Sequence, residues 1–114
     1  MAAAVVLASV VGVACGRRSP ESRAAEHAQD ACIGALEPVA RGRLPSVEQV
    51  DEARADAEAA AEVDDRWDPL VVGIRVVQST RGTPGIDPAV DALTAECRRV
   101  NEIVRRGGKE PPTA

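Results

Sequence analysis

The chain contains no phenylalanine and no tyrosine, and Trp67 is its single aromatic residue. Base-stacking platforms and aromatic cages need several aromatic faces, so single-strand nucleic-acid binding of that kind has no material here. Lysine is nearly missing too: Lys109 is the only one, and all other basic side chains are arginines. Positive charge is in deficit, with 14 Lys and Arg against 18 Asp and Glu and a net charge of −4. Proteins that hold nucleic acid through phosphate contacts carry the opposite balance, so no nucleic-acid partner is expected. His27 is the only histidine, five residues before Cys32, which is off the i, i+4 spacing that puts two ligands on one helical face. Neither a metal nor another cofactor is expected. The sequence also lacks G-x-S-x-G, G-x-x-x-x-G-K-[ST] and H-E-x-x-H. With those motifs absent, a non-enzymatic protein is expected.

What the chain does have is alanine, valine and arginine in 114 residues, enough for one small domain. A core of Ala, Val, Leu and Ile lets helices approach closely, but each side chain buries little area. The alanine and arginine bias also fits a GC-rich bacterial coding region.

From Ala2 to Cys15 no residue is charged, a run of 14. A bilayer-spanning helix needs about 20 apolar residues, whereas the apolar region of a signal peptide is shorter. The run ends "GVACGRR". This resembles the bacterial lipobox, with Val13 and Ala14 before the cysteine and Gly16 after it. Gly12 stands where the lipobox prefers Leu, and Arg17 and Arg18 follow the run where signal peptides carry their basic residues before it. An upstream start codon would supply such a leader. The resemblance implies a signal peptide over 1–14, removed on export. It also implies lipidation of Cys15 with a fatty acid such as palmitate, and a tether over 15–18. A plain signal peptide, a retained anchor and a buried structural helix are the other readings of the run.

Four helices are expected after it, about 19–36, 46–66, 69–80 and 87–106, making an all-α, small four-helix bundle over 19–106 with a disordered tail over 107–114. Ser19 caps the first, Pro20 suits its first position and Glu21 its dipole. Pro38 is expected to end it near Leu36. Ser46 and Gln49 form a capping-box pattern for the second. Residues 69–80 are ambiguous. Leu70, Val72, Ile74 and Val76 alternate like a strand. A lone strand, however, leaves its backbone unpaired, so a helix is expected, with Asp68 as cap, Pro69 at the first position and Trp67 stapled onto Val72. Asp87 caps and Pro88 opens the fourth helix. Its Val90, Leu93, Cys97, Val100 and Val104 step by three and four, and Gly107 and Gly108 stop it.

Cys32 and Cys97 both fall on apolar helix faces. In an exported protein they read as one disulfide; in a cytosolic one, as two buried thiols. His27 reads as a surface residue, with a Cys–His nucleophile as the functional alternative. Asp64, Asp65 and Asp68 around Trp67 read as helix-end carboxylates, or as a weak cation site without calcium-loop spacing. Trp67 reads as a core plug or a ligand-stacking face. Glu48, Asp51, Glu52, Asp56, Glu58 and Glu62 make the second helix acidic, a solvated face or a dock for a basic partner. Arg98, Arg99, Arg105 and Arg106 suit the helix C-terminus, or meet anionic lipid. Beyond its address signal the layout resembles the small helical lipoproteins of high-GC Gram-positive bacteria. The expectation is an extracytoplasmic module, anchored to the cell membrane by lipid or else secreted, that binds an envelope protein. A carrier of a small apolar ligand and an intracellular regulatory helical protein are the alternatives.

Overall fold

Ser19 sets the start of the first helix. Its Oγ accepts the backbone N–H of Ser22, and Pro20 fills the first helical turn, where no N–H is needed. The computed structural model describes residues 19–107, so the expectations for 1–14, 15–18 and 108–114 lie outside the described residues. Among the described residues the chain forms four α-helices and no strand: α1 (Pro20–Ala40), α2 (Val47–Val63), α3 (Asp68–Thr80) and α4 (Ile86–Arg105). A 3₁₀ turn, Asp65–Trp67, links α2 to α3.

The expected boundaries hold at the starts of α1 and α2 and at α3's end, shift by one residue at α3's start and at both ends of α4, and move further at the ends of α1 and α2. The capping box is complete: Ser46 Oγ accepts from Gln49 N at 3.1 Å, and Gln49 Oε1 accepts from Ser46 N at 2.8 Å. Pro38 does not end α1, which continues to Ala40. In the last turn a proline removes one donor, and the helix has only two residues left to run. The second helix stops at Val63 rather than Arg66, because Asp64 takes an extended conformation and caps the 3₁₀ turn instead. Asp68 is not a cap: α3 starts at it, and its N-cap, Trp67, makes no side-chain cap bond. Trp67 is buried while Val72 is 58% exposed, so the expected staple is not formed. Likewise α4 begins at Ile86 after Gly85, which leaves Asp87 and Pro88 inside its first turn. Gly82 follows α3 with φ +77°, a left-handed turn that a glycine adopts without strain.

Short connections make sequential helices antiparallel neighbours. α1 packs on α2 and α4, and α3 packs on α2 and α4, which closes a square. Its two halves differ. α1 buries Ala24, Ala28, Ala31, Cys32, Ala35 and Pro38, and α2 buries Val50, Ala53, Ala57 and Ala60, so the seam between them is mostly alanine. α3 buries Leu70, Val71, Ile74 and Val77, and α4 buries Ala89, Val90, Leu93, Cys97, Val100 and Ile103. A Cβ on Gly73 would stand 3.3 Å from Leu93 Cδ1, so the glycine lets α3 and α4 approach closely. Residues 69–80 read as alternating because the helix carries two valine-rich stripes: Leu70, Val71, Ile74 and Val77 face the core, whereas Val72 and Val76 face outward.

Candidate functional site

The sequence candidates scatter over the bundle, and the structure brings two of them into covalent contact. Cys32 of α1 and Cys97 of α4 share a disulfide with Cα atoms 5.6 Å apart, inside the span that bridge geometry allows. Both are buried, and neither offers a thiol to His27. His27 lies at the α1–α2 surface, where its Nδ1 stands 3.3 Å from Asp56 Oδ1. Cys15 lies outside the described residues.

Four of the six acidic residues of α2 have distinct settings. Asp51 accepts from Gln78 at 2.7 Å, and Glu58 accepts from Arg75 at 2.9 Å, so both tie α2 to α3. Asp56 meets His27 of α1. Glu52 points into a groove between α1 and α2 of about 280 Å³. Asp30, Glu37, Glu52 and Asp56 line it against Arg41 and Arg43, with Gly34, Pro38 and Ala53 forming its floor. Arg41 is held by Glu37 at 3.0 Å. Four carboxylates against two guanidinium groups give the groove a negative potential, suited to a cationic side chain.

Around Trp67 the residues are structural in geometry. The indole is buried, and the Arg66 guanidinium lies 6.0 Å from its ring centroid. Asp64 Oδ1 accepts from Arg66 N at 3.0 Å, and Asp64 Oδ2 pairs with Arg66 Nε at 2.7 Å. Arg99 reaches across from α4: its Nη2 donates to the Arg66 carbonyl at 2.7 Å and to Glu96 at 2.6 Å. Sequence spacing gave no sign of that link, since Arg99 reads as one of four helix-end arginines. At the opposite end of the bundle Arg81 Nη1 donates to the Pro45 carbonyl, joining the α1–α2 and α3–α4 loops. Arg105 and Arg106 both clamp Glu102, at 2.6 and 2.8 Å. The hydrogen bond from Arg106 is the main cause that holds the Glu102 carboxyl below its ordinary range.

Three further open grooves have mixed linings. One, of about 660 Å³ between α2 and α3, runs along Glu58, Ala61, Glu62, Asp68, Val71, Val72 and Arg75. Among the described residues no group of three or more His, Cys, Asp or Glu is placed to hold a metal ion. Among the same residues no helix is long and apolar enough to cross a membrane. No protein-family model, curated protein or solved structure matches the chain.

Proposed function

We propose that the chain is an exported helical module, anchored to the cell membrane by lipid on Cys15, that works by binding a protein of the envelope and not by catalysis. The Cys32–Cys97 disulfide carries the reading. Such bridges persist in oxidising compartments and are rare in the cytosol, so a buried bridge between the first and last helices fits a domain that matures outside it. The apolar run that ends at Val13-Ala14-Cys15 supports the same address from the other side of the sequence.

Two observations favour a binder over a carrier of apolar ligands. The core side chains pack against one another in a single cluster. The grooves described are open, and each has charged residues in its lining, where an apolar cargo needs an enclosed Val- and Ile-lined cavity.

Mass spectrometry of the unreduced protein from its native cells tests the reading. The expected mass corresponds to a chain beginning at an acylated Cys15 and two hydrogens lighter for the bridge. Protein that keeps residues 1–14, carries no lipid, has free thiols at Cys32 and Cys97 and fractionates with cytosol overturns it.

A further inference from the structure

We draw no further inference here: the strongest candidate, the groove between α1 and α2 in which Asp30, Glu37, Glu52 and Asp56 face Arg41 and Arg43, is a cluster of acidic side chains, and no second observation points to a ligand there, since no buried side-chain polar atom among the described residues is left without a partner.

Discussion

The α1–α2 half and the α3–α4 half solve the same packing problem with different material. α1 buries alanines, one cysteine and one proline, while α3 and α4 bury mostly leucine, isoleucine and valine. Alanine permits close approach of two helix axes, but each methyl removes little apolar surface from water. Stability per buried residue is therefore concentrated in the α3–α4 half. The disulfide joins α1, whose fully buried side chains are small, to α4, and its chain-entropy contribution for a sequence separation of 65 is about 4 kcal/mol at the upper end. Against a typical domain stability of about 5–15 kcal/mol that is a large share.

The sharpest test of this contrast is a truncation on the aliphatic side. Ile74→Ala should cost about 2–5 kcal/mol, read as a lowered denaturant midpoint, because the side chain is fully buried and the cavity cannot fully close. The alanine seam should fail in the opposite direction. Ala28 is fully buried, so Ala28→Leu should destabilise by about 1–3 kcal/mol through overpacking, where a loosely packed half would accept the larger side chain. A smaller loss, about 1 kcal/mol, is expected for Ser46→Ala, which breaks the capping box at the start of α2. The smallest effect concerns pH. Glu102 titrates below its ordinary range in the folded chain, so it adds stability at pH above the unfolded value, and that stability fades as pH falls through the folded one. Glu102→Gln should flatten the acid limb of the melting temperature against pH, and an unchanged limb would show that the Arg105 and Arg106 clamp adds nothing measurable.

Much of this bundle was legible in the residues. Ser19, Ser46 and Gln49 announce helix starts because a side-chain oxygen satisfying a free N–H is a local event, decided within three residues. The three- and four-residue steps from Val90 to Val100 announce α4 for the same reason. Cys32 and Cys97 were legible as a pair because both lie on apolar helix faces. What was not legible depends on tertiary context. Pro38 is tolerated because α1 ends two residues later, and no local rule encodes that. Asp64 rather than Asp68 caps the α2–α3 junction, a choice made by the 3₁₀ turn that buries Trp67. Arg99 meets the Arg66 carbonyl across 33 positions, and charge patterning along one helix does not reveal such a contact. Val72 and Val76 imitated a strand because β-branched residues on two sides of a helix resemble an alternation.

The central claim is that the disulfide holds an alanine-built α1 against an aliphatic α3–α4 half. Amide hydrogen exchange before and after reduction, followed residue by residue, measures it directly. The account predicts that reduction strips protection first and most from residues 24–35, while residues 70–77 and 90–103 keep most of theirs. Equal loss across all four helices, or protection in α1 that is indifferent to reductant, would contradict it.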